Sequence, residues 1–292
     1  MLQPNAFTLV RRAFLTCLLA IAPAIAHGQT RVHEIPSEPF RTAIGDRQVA
    51  FFAIDGETGK EYAFNPKLID ERQPPFSSFK IPNLMIALES GVAPNLGHIR
   101  KWDPSRRPAA DYWPKDWRQD QTLASAFTRS AAWYFQDLAL DVGHKRYREY
   151  LQRFQYGNAN APEGSDTFWL DEPDPARRLL VSPREQATFI KNAVEGRLGL
   201  RPTTLDAFKQ VAALQTKDGH TLYGKTGSGP LQPGNVDGAF QGWLVGYVER
   251  PQKKPVYYAL YTQGPSYSSI LKFRREFSET LLKDIGGLPA HW

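Results

Sequence analysis

The chain has 292 residues, enough for one large domain or two small ones, and its 41% hydrophobic and 23% charged residues are typical of a globular protein. This composition excludes wholesale disorder, and no apolar run approaches the ~20 residues that a transmembrane helix needs. The formal net charge of +6 is mild and not concentrated in one patch, so nucleic-acid binding is not expected.

The first segment is typical of an export signal. Two arginines precede an apolar stretch over 13–25, which ends in the small-residue pattern Ala-Ile-Ala. We therefore predict a cleavable signal peptide at residues 1–26, a catalytic domain at residues 27–292 and a periplasmic location, with the Sec and twin-arginine routes both open. The only cysteine, Cys17, lies inside the signal, so the mature chain has no thiol for catalysis, a disulfide or a zinc site.

Strands are predicted near both ends of the chain, and helices between them. Apolar residues over Gln48–Asp55 and 60–65 flank a glycine-containing turn and predict a β-hairpin. We predict helices over 81–90, 130–142, 146–154 and from 183 toward 196, then strands over 221–226, 242–249 and 256–262, and a closing helix over 270–285. The fourth helix opens with a capping box from Ser182 to Glu185, which makes Glu185 a cap rather than a catalytic acid. This order predicts one α+β domain: an antiparallel sheet built from the N- and C-terminal strands, flanked by helices, with a helical middle region.

Ser77 and Lys80 form the pattern S-x-x-K, in which a lysine can activate a serine. A serine hydroxyl is almost inert at neutral pH and needs an adjacent base. The chain has no G-x-S-x-G motif, and its six histidines are scattered without a spacing such as H-E-x-x-H. At a helix start, S-x-x-K places the lysine one turn from the serine on the same face. The pattern recurs at Ser269 and Lys272, but only the first pair follows a proline-rich turn and precedes an apolar helix that can bury the lysine.

The tripeptide Lys225-Thr226-Gly227 lies on a predicted strand and is the natural partner of that pair. A strand edge can align a peptide-like substrate, the lysine and threonine can hold a carboxylate, and glycine allows close approach. The same residues complete the phosphate-loop pattern G-x-x-x-x-G-K-[ST] over 219–226. That pattern binds phosphate only between a strand and a helix N-terminus, whereas here a turn precedes it and a Gly/Pro-rich stretch follows. We therefore reject a nucleotide-binding interpretation.

The motifs and their order resemble those of class D (oxacillinase-type) serine β-lactamases, in the superfamily of penicillin-recognising serine enzymes. The resemblance covers nearly all of residues 48–285. The matching segments are 75–83 (PFSSFKIPN), 101–103 (KWD), Trp117 with 120–123 (DQTL), 156–158 (YGN), 168–170 (FWL), 182–186 (SPREQ), 223–227 (YGKTG) and 242–246 (GWLVG).

The resemblance implies a catalytic role for four residues. Ser77 would form the acyl-enzyme, and Lys80, carboxylated on its amine by carbon dioxide, would be the general base for acylation and deacylation. Ser130 would relay a proton to the ring nitrogen of the substrate. Trp169 would donate a hydrogen bond to the lysine carbamate, although a plain core aromatic is the alternative for this residue. Carbon dioxide or bicarbonate is the only cofactor implied, and no metal is.

The resemblance also implies how the substrate is bound. The backbone N–H groups of Ser77 and Ser228 would form the oxyanion hole, which stabilises the developing negative oxygen. The substrate-binding residues would be Lys225, Thr226, Gly227 and Arg274. A solvated position on the last helix is the alternative for Arg274, with Arg275 as its rival.

One departure from the family pattern lies beside the predicted base. The family has Ser-x-Val where this chain has Ser-Ala-Ala at 130–132, and the valine helps to shield the modified lysine from water. Because alanine is smaller, we expect a wetter pocket at Ala132, a less stable carbamate and a larger effect on deacylation than on acylation.

We therefore predict an exported serine β-lactamase, a hydrolase of cyclic amides. Its partners would be β-lactam substrates, without nucleic acid or a membrane span, and the chain would be a monomer or homodimer. The alternatives are a non-hydrolytic penicillin-binding receptor or sensor and a transpeptidase relative. Sensors of this superfamily carry membrane helices, and transpeptidases have a Ser-x-Asn motif, which this chain lacks at Ser130.

Overall fold

One seven-stranded sheet organises the structure, a computed structural model that describes residues 31–292. Its strands are β1 (Val32–Ile35), β2 (Gln48–Asp55), β3 (Glu61–Phe64), β6 (Ala213–Lys217), β7 (His220–Pro230), β8 (Phe240–Arg250) and β9 (Lys253–Gly264), while β4 (Ile99–Arg100) and β5 (Gln121–Thr122) form a separate pair. The order β1-β3-β2-β9-β8-β7-β6 joins strands from the two ends of the domain. The predicted α+β fold is confirmed. The sheet is not wholly antiparallel, however, because β1 runs parallel to β3.

Nine helices accompany the sheet in the described part of the chain. They are α1 (Arg41–Ile44), α2 (Lys80–Glu89), α3 (Leu123–Arg129), α4 (Ala132–Val142), α5 (His144–Arg153), α6 (Pro183–Val194), α7 (Pro202–Ala212), α8 (Tyr267–Leu271) and α9 (Phe273–Asp284). The larger apolar cluster contains α2 to α7 and one face of the sheet, and a second cluster packs α9 on the other face. The predicted signal peptide at residues 1–26 lies outside the described residues.

Helix α2 lies in the middle of the larger cluster and positions the predicted nucleophile. Every residue from Lys80 to Leu88 is buried, so this helix is covered on all sides rather than on one stripe. A 3₁₀ turn over Phe76–Phe79 leads into it. Between residues 31 and 292, no helix has the length and apolar character needed to cross a membrane.

Local signals predicted several elements correctly. The capping box is present at the start of α6: the Ser182 hydroxyl accepts from the Glu185 amide, and the Glu185 carboxylate accepts from the Ser182 amide. The segment 219–226 belongs to the turn and strand β7 rather than to a phosphate-binding helix start. Strands β1 and β6 and helix α7 were not predicted.

The prediction of a single closing helix over 270–285 is wrong, because the structure has two helices in this segment. In α8, Ile270 packs against the sheet at Gly242 and Gly264, where a side chain on either glycine would come within 2.9 Å of it. Helix α9 then begins at Phe273, directly after Lys272.

Candidate active site

Ser77 and Lys80 are in direct contact at the start of α2. The Lys80 Nζ atom lies 2.7 Å from the Ser77 Oγ atom, a hydrogen bond across one helical turn. Ser77 is half-buried and reachable, whereas Lys80 has no exposed surface. A serine nucleophile needs an adjacent base, and the Lys80 amine is placed to be that base for Ser77.

Burial favours the neutral amine of Lys80 over its ammonium form. Desolvation lowers the pKa of Lys80 well below its usual 10.5, and the positive charge of Lys225 lowers it further. The ring of Phe135, on α4, lies 5.3 Å from the Lys80 Nζ atom and contributes to its apolar cover. Ala132, the first residue of α4, is half-buried, and Lys80 remains fully buried with alanine at that position.

Lys225 joins strand β7 to Ser130. The Lys225 Nζ atom donates to the Ser130 hydroxyl at 3.0 Å. Ser130 ends helix α3 in the left-handed conformation, with a φ of 62°, in the turn that connects α3 with α4. Burial, and then the nearby charge of Arg274, lower the pKa of Lys225 to about 7. A second lysine amine and a hydroxyl therefore lie close to the Ser77–Lys80 pair.

Arg274, and not Arg275, reaches the site. The Arg274 guanidinium donates to the Gly227 carbonyl oxygen at 3.1 Å and to the Ser228 hydroxyl, and only 6% of the residue is exposed. Arg275 points away and binds Glu279 and Gln215. Burial lowers the pKa of Arg274, but its group stays cationic because guanidinium does not deprotonate in proteins.

Strand β7 lies against the nucleophile at Gly227. A Cβ atom on Gly227 would be 2.5 Å from the Pro75 carbonyl oxygen and 3.2 Å from the Ser77 amide nitrogen. Only glycine allows this approach, which brings Thr226 and Ser228 to the Ser77 backbone. Thr226 and Ser228 are both half-buried, so each keeps part of its surface accessible to solvent.

Trp169 lies beside the nucleophile segment with an unused hydrogen-bond donor. Its carbonyl oxygen accepts from the Phe76 amide at 2.9 Å, and its ring lies 5.3 Å from that of Phe79. The indole is fully buried, yet its Nε1 atom has no partner among the described side chains and backbone. Buried polar groups are paired in most proteins, so the unpaired indole N–H of Trp169, next to the turn over Phe76–Phe79, remains able to donate a hydrogen bond.

A buried hydrogen-bond chain that the sequence did not indicate supports the nucleophile turn. Tyr156 donates to the Gln186 side chain at 2.9 Å, Gln186 donates to Ser78 at 2.9 Å, and Ser78 donates to the Pro75 carbonyl at 2.7 Å. The motifs 156–158 and 182–186 predicted a turn and a cap. Their second role, in joining α6 to the turn before α2, depends on contacts between residues far apart in the chain.

The second S-x-x-K pattern forms no such site. Ser269 belongs to a capping box with Ser266 at the start of α8, and Lys272 is exposed. This agrees with a solvated helix start. Among the other predicted core aromatics, Trp243 is fully buried and donates to the Pro74 carbonyl, and Trp102 and Trp117 are half-buried.

Comparisons with known proteins identify the family. Residues 49–283 match the family described as the penicillin binding protein transpeptidase domain. The chain is 31% identical to the probable β-lactamase YbxI of Bacillus subtilis (strain 168) over 204 residues, 70% of each chain. Among solved structures, it resembles the C-terminal domain of the Bacillus licheniformis BlaR penicillin-receptor, with a TM-score of 0.77, 27% identity and coverage of 89% of this chain and 99% of that one. It also resembles a class D β-lactamase from Sebaldella termitidis, with a TM-score of 0.76, 26% identity and coverage of 88% and 100%. The chain belongs to the penicillin-binding transpeptidase domain family, in the class D serine β-lactamase superfamily.

Proposed function

We propose that the protein is an exported serine β-lactamase that hydrolyses β-lactam antibiotics through an acyl-enzyme on Ser77. The observation that carries this proposal is the 2.7 Å contact between the Ser77 hydroxyl and a fully buried Lys80 amine. Lys225 and Arg274 add an amine and a guanidinium cation to the site, and these donors suit a substrate that carries a carboxylate next to its reactive amide. YbxI and the Sebaldella enzyme, both similar to this chain, are described as β-lactamases.

We propose further that Lys80 works as its carbamate. A neutral amine can add carbon dioxide, and burial favours the neutral form of Lys80 by lowering its pKa. The unpaired Trp169 N–H is a fitting donor for a carbamate oxygen. When present, the added carboxyl group supplies an anionic oxygen base beside Ser77.

The reaction proposed for these residues has two halves. In acylation, the Ser77 oxygen attacks the lactam carbonyl carbon while its proton passes to the base at residue 80. The lactam C–N bond then breaks, and the base returns its proton through the Ser130 hydroxyl to the ring nitrogen, so the base is again unprotonated. The Ser130 hydroxyl accepts a hydrogen bond from Lys225. In deacylation, the base takes a proton from water, the resulting hydroxide attacks the ester, and Ser77 leaves with a proton. The backbone N–H groups of Ser77 and Ser228 stabilise the negative oxygen in both halves.

Steady-state hydrolysis of a chromogenic cephalosporin, with bicarbonate in the buffer, tests the hydrolase proposal. We expect turnover by the wild type and none by Ser77→Ala, which removes the nucleophile but not the fold. Ser269→Ala is the matched control, because it removes the serine of the second S-x-x-K pattern, and it should retain activity. Labelling by penicillin that persists in Ser77→Ala, located by mass spectrometry on another serine, would overturn the assignment.

A penicillin receptor is the second candidate function. The observation that favours it is the similarity to the BlaR penicillin-receptor domain, which matches over 99% of that domain's length. The two functions differ in deacylation alone, so one measurement separates them. A receptor would give one equivalent of acyl-enzyme that persists for hours, and a β-lactamase would release product repeatedly.

The N-terminal segment supports the proposed export. Its two arginines, apolar stretch and Ala-Ile-Ala pattern at residues 1–26 are those of a cleavable signal. Expression of the full chain in a Gram-negative host should release a periplasmic protein that begins at residue 27. A cytoplasmic product with an intact N-terminus would contradict this part of the proposal.

A further inference from the structure

Phe76, the residue directly before the proposed nucleophile, has an unusual backbone conformation. Its φ is 47°, in the left-handed region that bulky side chains rarely adopt. Such a conformation is unfavourable and persists only where surrounding contacts enforce it. One of these contacts is the hydrogen bond from its amide to the Trp169 carbonyl. The other involves its side chain.

The ring of Phe76 occupies the space where Gly229 would carry a side chain. A Cβ atom on Gly229 would lie 1.9 Å from Cε1 and 2.3 Å from Cζ of the ring, and only 3% of Phe76 is exposed. The ring therefore packs directly on the backbone of β7. Strand β7 is firmly supported here, because the buried Gln241 of β8 donates to the Pro230 carbonyl and accepts from Tyr261.

Ser228 lies between two such close contacts. Gly227 touches the backbone around Ser77, and Gly229 touches the Phe76 ring, both on one face of β7. On the other face, the Ser228 hydroxyl accepts from Arg274. The position of the Ser228 backbone relative to Ser77 is thus determined by how closely the strand can approach the turn. At Gly229, the thickness of the Phe76 ring limits how closely β7 can approach the turn.

We propose that Phe76 is a positioning residue for acyl transfer: its ring is a spacer that sets the separation between the backbone N–H groups of Ser77 and Ser228. This inference rests on the proposed function, since that separation matters only if both groups bind the oxyanion. A misplacement of about 1 Å can cost 10²-fold in rate, and one lost oxyanion donor costs about 10²- to 10³-fold. Phe76 acts without touching the substrate.

The test is a double-mutant cycle read by the rate of acylation. Labelling by a fluorescent penicillin is followed in the wild type, Phe76→Ala, Gly229→Ala and the double variant, with the melting temperature of each. We expect Phe76→Ala to lower the acylation rate constant roughly 10- to 100-fold. Gly229→Ala should lower it as well, because its methyl group collides with the ring. The double variant should acylate faster than Gly229→Ala alone, since the methyl group enters the vacated space.

Two further measurements separate positioning from a general loss of structure. The bicarbonate concentration that gives half-maximal activity should stay at the wild-type value in Phe76→Ala, because Lys80 is not displaced. Phe154→Ala is the matched control, a buried phenylalanine on the far end of α5. It should lower the melting temperature and leave acylation unchanged.

The outcomes decide the proposal in each case. A folded Phe76→Ala that acylates at the wild-type rate overturns it, and so does a double variant in which the two losses simply multiply. If Phe76→Ala does not fold, Phe76→Leu takes its place, with the same expectations in smaller measure. If the wild type itself is not labelled on Ser77, the proposed function fails and this inference fails with it, which is a result distinct from the other two.

Discussion

Replacing Trp169 with phenylalanine isolates the proposed link between this indole and the carbamate of Lys80. The change removes the N–H group together with the five-membered ring of the indole, and it leaves a phenyl ring to pack against Phe168 and Phe79, which lie 4.8 and 5.3 Å from the indole. In the unmodified protein that N–H is buried without a partner, so its loss costs no hydrogen bond within the described chain.

The expected magnitude follows from that unpaired donor. A hydrogen bond to a charged group contributes about 1.5–3 kcal/mol, and each 1.4 kcal/mol is a factor of ten in an equilibrium constant. The bicarbonate concentration that half-carboxylates Lys80 should therefore rise about 10- to 150-fold in Trp169→Phe. Activity at saturating bicarbonate should recover, because the base itself is still formed.

Carbon-13 bicarbonate makes the carbamate directly visible by NMR, so its signal can be titrated in both proteins. Trp243→Phe is the matched control, since Trp243 is equally buried but its N–H already donates to the Pro74 carbonyl at 2.8 Å. The Trp243→Phe control loses the same volume. That variant should lose about 1 kcal/mol of stability without a shift in the bicarbonate titration. Equal titration midpoints for wild type and Trp169→Phe would refute the role given to the indole.

Three further predictions concern neighbouring residues. Ala132→Val should retain the carbamate more strongly by adding apolar cover, and an unchanged bicarbonate requirement would contradict this. Because the pKa of Lys225 falls from 10.5 to about 7 on folding, the unfolded chain binds more protons between those values, and the free energy of unfolding should rise with pH across that range. Urea unfolding at pH 7, 8 and 9 should show a smaller rise in Lys225→Met, and an equal rise would count against the lowered pKa. Ser78→Ala leaves the buried Gln186 amide without an acceptor, so it should cost about 1–3 kcal/mol. Thermal unfolding measures this loss. A melting temperature equal to that of the wild type would show that the hydrogen-bond chain from Tyr156 to Ser78 does not contribute to stability.

Contacts within one turn or between neighbouring strands could be predicted from the sequence. The hairpin of β2 and β3, the capping box of Ser182 and the pairing of Ser77 with Lys80 all depend on residues a few positions apart. Their side-chain chemistry and spacing determine the local geometry whatever the rest of the chain does. The order of the motifs also predicted the family, because that order is independent of the fold's detailed packing.

Contacts between distant segments were decided only by the tertiary structure. Arg274 and Arg275 are adjacent in sequence, and it is the direction of α9 against the sheet that brings the first to Gly227 and the second to Glu279. Likewise, Ile270 of α8 packs against glycines of β8 and β9, a contact that its own segment of sequence does not indicate.

The surroundings of Ser77 and Lys80 show most clearly what the tertiary structure adds. Ser77 and Lys80 are evident in the sequence, but the burial that lowers the pKa of the lysine comes from Phe135 and the surrounding helices. The spacing of Ser77 from Ser228 depends on the contact of Phe76 with Gly229, 153 positions later in the chain. Sequence determines which chemical groups are available within a turn. Their pKa values and their separation from partners on other strands depend on desolvation and packing, which arise only when the whole chain has folded.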